Sequence, residues 1–164
     1  MKGAAHVDKN IYFAPAHPLD AKAASSWITS EDALLLFAGP GLTYPMAAKD
    51  LLATTAQGWN VMALRVDNVP RGIACYTRRS TDTVHLGRVL VDPQARGLGL
   101  GRSLVEHLVK HVTALSDVRR VTLNVYEHND PAVNLYSALG FVVTETVPAI
   151  SVGGWATLRM QLAV

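Results

Sequence analysis

The chain has 164 residues and is 49% hydrophobic, enough for one domain over 1–164 with a substantial core and too short for two comfortable ones. Lys+Arg 15 against Asp+Glu 13 gives a formal +2, too little to argue for nucleic acid by charge. No apolar run of signal-peptide or membrane-span length occurs, which predicts a cytoplasmic protein with no membrane partner.

Ile11-Tyr12-Phe13 reads as a first strand stopped by Pro15, and Pro18 opens a first helix that runs to Trp27. Ser30 is the N-cap of a short second helix over 31–37, whose acidic first turn, Glu31 and Asp32, suits the helix dipole. Gly39-Pro40-Gly41 ends it, and a third helix covers 46–56 up to Gly58. The chain then becomes strand-rich, with strands over 59–66, 70–78 and 83–91 joined by the turns Asp67-Asn68 and Ser80-Thr81-Asp82. The lone Cys75 lies in the second of these and reads as a buried reduced thiol, with no internal disulfide available.

Arg96-Gly97-Leu98-Gly99-Leu100-Gly101-Arg102 follows the third of these strands and opens a helix over 99–115. Alternate glycines at a helix start let backbone N–H groups converge on one anion. Leu100, Leu104, Val105, Leu108, Val109, Val112 and Leu115 keep the spacing of an amphipathic helix with one face on a sheet. A strand over 118–126 then completes a β-α-β unit with parallel strands. Asp130 caps a further helix that holds Pro131 in its first turn and ends at Gly140; strands over 141–147 and 155–162 form a final hairpin across Gly153-Gly154.

Two runs flank the glycine turn: Val89-Leu90-Val91-Asp92-Pro93 before it and Asn129-Asp130-Pro131-Ala132-Val133-Asn134-Leu135-Tyr136-Ser137-Ala138-Leu139-Gly140-Phe141 after it. With Arg96-x-x-Gly99-x-Gly101 they closely resemble the GNAT superfamily of acyl-CoA-dependent N-acetyltransferases. A Rossmann dinucleotide site expects its glycines after the first strand of a repeated β-α-β series, and three antiparallel strands precede them here. The resemblance implies an α/β (α+β) fold, with a mixed, mostly antiparallel twisted sheet of about seven strands flanked by about four helices. That sheet is splayed between its fourth and fifth strands, where acetyl-CoA lies as acyl donor, and no metal is implied.

The resemblance also implies roles. Backbone N–H groups over Gly97, Leu98, Gly99, Leu100, Gly101 and Arg102 hold the pyrophosphate, with Arg96 and Arg102 adding charge and Ser103 counted in the same cofactor site. Val89, Leu90 and Val91 pair with the pantetheine arm, and a bulge at Gly87-Arg88 points an N–H at the thioester carbonyl. Asn129 and Ala132 contact the same arm. Tyr136 matches the tyrosine near the departing sulfur. A free tyrosine titrates at about 10 and a thiol at about 8.5, so full proton transfer is uphill by roughly 2 kcal/mol and hydrogen-bond stabilisation is the safer role.

Family members place the base four positions before the carbonyl-binding residue, which here is His85, a side chain suited to proton acceptance at neutral pH. The alternative for His85 is a strand histidine that only bonds a neighbour. His107 and His111 have helical i, i+4 spacing, but they lie off the apolar stripe and read as a solvated face. His128 borders the cofactor loop, while His6 and His17 carry no readable signal. The acceptor is expected against 27–44 and 148–155, with Phe37, Tyr44 and Trp155 as walls and Glu31 and Asp32 as ammonium partners or mere caps. A small amine, a protein amino group, and a non-catalytic acyl-CoA sensor all stay open, as does a homodimer.

Overall fold

A computed structural model describes residues 9–164, so His6 lies outside the described residues. The strands are β1 (Ile11–Pro15), β2 (Asn60–Val66), β3 (Val69–Arg78), β4 (Thr83–Val91), β5 (Arg120–Tyr126), β6 (Val142–Val147) and β7 (Thr157–Ala163). They form one sheet in the order β1-β2-β3-β4-β5-β7-β6, antiparallel throughout except for β4 beside β5. Five helices flank it: α1 (Pro18–Trp27), α2 (Glu31–Ala38), α3 (Ala48–Ala53), α4 (Leu100–Thr113) and α5 (Asp130–Ala138).

Strand alternation divides the core into two layers. Val61, Ala63, Ile73 and Cys75 face α1, α2 and α3, where Ala21, Ala24, Leu34, Phe37 and Leu51 are buried. Met62, Leu64 and Ala74 face the other way, against Leu104, Val105, Leu108 and Val112 of α4 and against Tyr136 of α5. The helical periodicity over 99–115 therefore buries one face of α4, as expected.

Local details differ from the sequence reading. His17, which carried no signal, caps α1: its Nδ1 accepts from Leu19 N at 3.2 Å, and Asp20 Oδ2 accepts from His17 N at 2.7 Å. The third helix is shorter than 46–56, because it follows the Tyr44-Pro45 turn and gives way at Thr54 to a 3-10 turn over Thr54–Gln57. Asp130 is the first helical residue of α5 rather than its cap; Asn129 holds the capping position without a side-chain bond to the helix. The face of His107 and His111 is only partly solvated, since both side chains are half-buried. Strand β1 pairs onto the sheet edge and brings Phe13 over it, with ring centroids 5.7 Å from His107 and 6.1 Å from His111. His111 Nε2 sits 3.1 Å from Tyr76 Oη, and His107 Nδ1 lies 2.7 Å from the Ser103 carbonyl.

Two irregularities shape the middle of the sheet. First, β4 and β5 pair only from Thr83↔Arg120 to Leu86↔Leu123, and beyond that point the strands part. Second, the β3–β4 register runs Ile73↔Leu90 and then Cys75↔Gly87, so Arg88 and Val89 together oppose Ala74 in a β-bulge. Arg88 carries φ +55° there, a left-handed conformation that costs a non-glycine residue roughly 1–2 kcal/mol.

Candidate functional site

The strands part at Leu86 and Leu123, and a cavity of about 330 Å³ fills the opening. One wall is β4 from His85 to Val89; the other is β5 from Leu123 to Tyr126, continued by Asn129, Ala132 and Tyr136. The end of α2, from Leu36 to Ala38, and the Gly39-Pro40 turn after it close one side, and Trp59 and Arg79 also line the cavity. The structure thus brings His85, Val89, Asn129, Ala132 and Tyr136 to one space. Leu90 packs into the α1–α3 layer and Val91 into the α4–α5 layer, so their side chains serve the core.

Tyr136 is 8% exposed and packs edge-on against Phe141, with centroids 5.9 Å apart. Burial pushes its phenol well above the ordinary tyrosine value, so the hydroxyl keeps its proton at neutral pH. His85 is hydrogen-bonded through Nδ1 to Thr122 Oγ1 at 2.8 Å, across the last paired stretch of β4 and β5. Burial, with a smaller repulsion from Arg79, pulls His85 down to about 4. It is neutral at pH 7 and free to accept a proton, but it is a weak base. Cys75 is fully buried, and burial pushes its thiol up to about 12, which leaves it an inert thiol.

Sequence reasoning missed the cavity's floor. Trp59 lies beneath the bulge, with the Arg88 guanidinium 4.5 Å and that of Arg79 5.9 Å from its ring, and His85 meets it edge-on at 6.3 Å. Arg88 is 9% exposed, and its Nη1 is shut off from water without a hydrogen-bond partner among the described residues. The signal available in the sequence was Gly87, a glycine inside a strand that marked the bulge without revealing what the next side chain would do. Trp155 meets Tyr126 edge-on at 5.1 Å and His128 at a tilt at 4.4 Å, and neither Trp155 nor His128 lines the cavity. Glu31 and Asp32 occupy the exposed first turn of α2 and do not line the cavity, because capping by Ser30 directs that turn to solvent.

The glycine turn lies outside the cavity, on open surface. Gly97 and Gly99 both have φ +76°, and a Cβ at either would meet nothing within 4 Å. They are required by backbone conformation rather than by packing. Gly99 is the N-cap of α4 and supplies no side chain to it, so the first-turn N–H groups stay available to an anion. Leu100 is buried and anchors the turn, whereas Leu98 is 60% exposed. Arg96 is exposed, and Arg102 Nε pairs with Glu106 Oε1 at 2.8 Å. Among the described residues, no helix is long and apolar enough to cross a membrane, and no three or more His, Cys, Asp or Glu side chains are grouped to hold a metal ion.

Comparison with known proteins agrees with this geometry. The chain is 45% identical over 60 residues to the peptidyl-lysine N-acetyltransferase YjaB of Escherichia coli, an alignment covering 37% of each chain. It is 38% identical over 100 residues to a 5-NmdU N-acetyltransferase of Pseudomonas phage PaMx11, covering 60% of this chain and 64% of that one. The matched segment thus spans less than two thirds of either relative. Among solved structures, yncA from Salmonella typhimurium with its cofactor acetyl-CoA superposes with a TM-score of 0.74 at 23% identity, covering 94% of both chains. The ribosomal-protein-S18-alanine N-acetyltransferase of Escherichia coli gives 0.73 at 22% identity, again over 94% of both. At these identities the structures share the fold. The model of the acetyltransferase (GNAT) family matches residues 27–141, most of the chain and all of the β4-to-α5 region that builds the cavity, so this protein belongs to the GNAT acetyltransferases.

Proposed function

We propose that the protein transfers an acetyl group from acetyl-CoA to a primary amine of a small molecule, by direct attack while both substrates are bound. The observation that carries this reading is the meeting of the β4 bulge and Tyr136 on opposite walls of one cavity, at the point where β4 and β5 part. The residues fit acetyl-CoA: the left-handed Gly97 and Gly99 and the side-chain-free start of α4 suit a pyrophosphate, and the interrupted β4 ladder suits an amide-bearing arm.

Acetyl-CoA supplies the acetyl group as an activated thioester. The bulge at Arg88 and Val89 offers backbone N–H to the carbonyl oxygen as negative charge develops on it. The protonated Tyr136 hydroxyl donates to the departing sulfur. His85 takes the amine's proton after the new bond begins to form, when that nitrogen is a far stronger acid than a free ammonium. A group held near 4 suits this later step better than deprotonation of the free substrate. For Nε2 to act, Nδ1 must carry the hydrogen and donate it to Thr122. The inert Cys75 gives no support to an acetyl-cysteine route.

The enclosing aromatic walls favour a small acceptor over a protein amino group. Free-thiol release from acetyl-CoA across a panel of amines and peptides tests the reading. Turnover of small amines supports it; turnover confined to peptides redirects it to protein substrates. Tight CoA binding with no turnover overturns it in favour of an acyl-CoA sensor.

A further inference from the structure

The charge inside the cavity points to one kind of acceptor. Among the described residues lining it, the charged side chains are Arg79 and Arg88, and no Asp or Glu takes part. His85 is neutral at pH 7 and adds no charge of its own. Arg88 is the more unusual of the two: it is more than nine-tenths buried, stacked on Trp59, and its Nη1 has no partner among the described residues. A buried guanidinium normally finds a carboxylate or several carbonyl oxygens, because an unpaired buried charge is costly. Here no carboxylate among the described residues offsets the burial, which holds the guanidinium below its ordinary value. The backbone beneath it sits at φ +55°, strain of a kind that clusters at functional sites.

We propose that the acceptor carries a carboxylate on the same small molecule as its amine, and that Arg88 binds this carboxylate while the amine faces the bulge. The inference rests on the acetyltransferase reading above and narrows it to amino acids and related amino carboxylates. The apolar side of such a molecule meets Trp59, Phe37 and Tyr126. The same field disfavours acceptors with additional positive charge, including polyamines and lysine-rich peptides, since like charges in a partly dry cavity repel strongly. Arg79, more distant from the Trp59 ring, reinforces the field at the rim.

The test compares matched pairs of acceptors that differ only in the carboxylate: L-methionine against 3-(methylthio)propylamine, and L-phenylalanine against phenethylamine, with spermidine and a lysine peptide as cationic acceptors. Thiol release from acetyl-CoA is measured with wild type, Arg88→Lys and Arg88→Met, and thermal melting confirms that each variant folds. A charge-assisted contact of this kind contributes roughly tenfold to a hundredfold in kcat/KM. We expect the amino acid of each pair to be preferred by that factor, with Arg88→Met collapsing the preference and Arg88→Lys retaining part of it. If Arg88→Met does not fold, the wild-type preference together with the Arg88→Lys ratio decides. Preference for the decarboxylated amines or for spermidine overturns the inference and leaves the acetyltransferase reading standing. A ratio unmoved by either folded variant also overturns it. CoA binding without turnover of any acceptor overturns both.

Discussion

The Trp59 ring lies flat enough under Arg88 to put the guanidinium carbon 4.5 Å from its centroid, and a missing side chain makes this arrangement possible. A Cβ at Gly87 would stand 3.1 Å from Trp59 Cη2 and 3.3 Å from Cζ3. Gly87→Ala should therefore push the indole aside and disturb Arg88 and His85 with it. We expect acceptor kcat/KM to fall about tenfold and the affinity for CoA to change little, since the glycine turn lies elsewhere. Steady-state kinetics beside calorimetric CoA titration check this; equal losses in both quantities would count against Trp59 as an acceptor wall.

Removing the Tyr136 hydroxyl leaves the edge-on contact with Phe141 in place. Tyr136→Phe should lower kcat by roughly 10²-fold, the scale of a positioned proton donor, while CoA binding stays within a few-fold. Unchanged kcat with a validated acceptor would remove Tyr136 from the mechanism.

The low value of His85 fixes the sign of a stability effect. Its pKa falls from an ordinary 6.5 to about 4 on folding, so the folded state resists protonation that the unfolded chain accepts. The resulting stability is fully present above pH 6.5 and is lost as the pH falls toward 4. Melting temperatures should fall across that window in wild type and fall less in His85→Gln. An identical slope in both proteins would show that His85 is not held neutral.

Gly99→Ala places a methyl group in empty space but forces a side chain onto φ +76°. The strain should cost about 1–2 kcal/mol of stability, and relaxation of the turn should raise the Kd for CoA more than it affects any acceptor parameter. A differential melt with and without CoA separates the two effects.

Away from the cavity, Asp20 is 1% exposed, accepts from Arg65 Nε at 2.9 Å and Nη2 at 2.8 Å, and closes the cap of α1. Asp20→Ala should cost about 2–3 kcal/mol, below the range for a wholly buried pair because the Arg65 side chain keeps 25% exposure. Urea denaturation measures this directly.

What was legible in the sequence follows from how far each signal reaches along the chain. The glycine turn, the amphipathic face of α4 and the Asn129-to-Phe141 run are local patterns, and they located the parallel β4–β5 pair and the Tyr136 wall. Arg88 and Trp59 are 29 positions apart by their numbering, and they meet only through the β2–β3–β4 register plus one bulge residue, which no local pattern encodes. The same limit explains Glu31 and Asp32, whose charge suited an ammonium although the α2 cap turns them outward. It also explains His107 and His111, because only the pairing of β1 with β2 brings Phe13 over them.

The short seam between β4 and β5 has one further consequence. Among the described residues, four pairs, Thr83 to Leu86 against Arg120 to Leu123, are all that join the two halves of the sheet by strand pairing. Val84 and Val121 within that seam are fully buried, at the end away from the opening. The gap between the bulge and Tyr136 is therefore set by side chains that touch neither reactant, much as the rivet of a pair of tongs sets the distance between its tips. A volume change at Val84 or Val121 alters the spacing of the reacting groups, and an ångström there is worth about 10² in rate. Tuning of the catalyst is thus open to residues of the core as well as to those of the cavity.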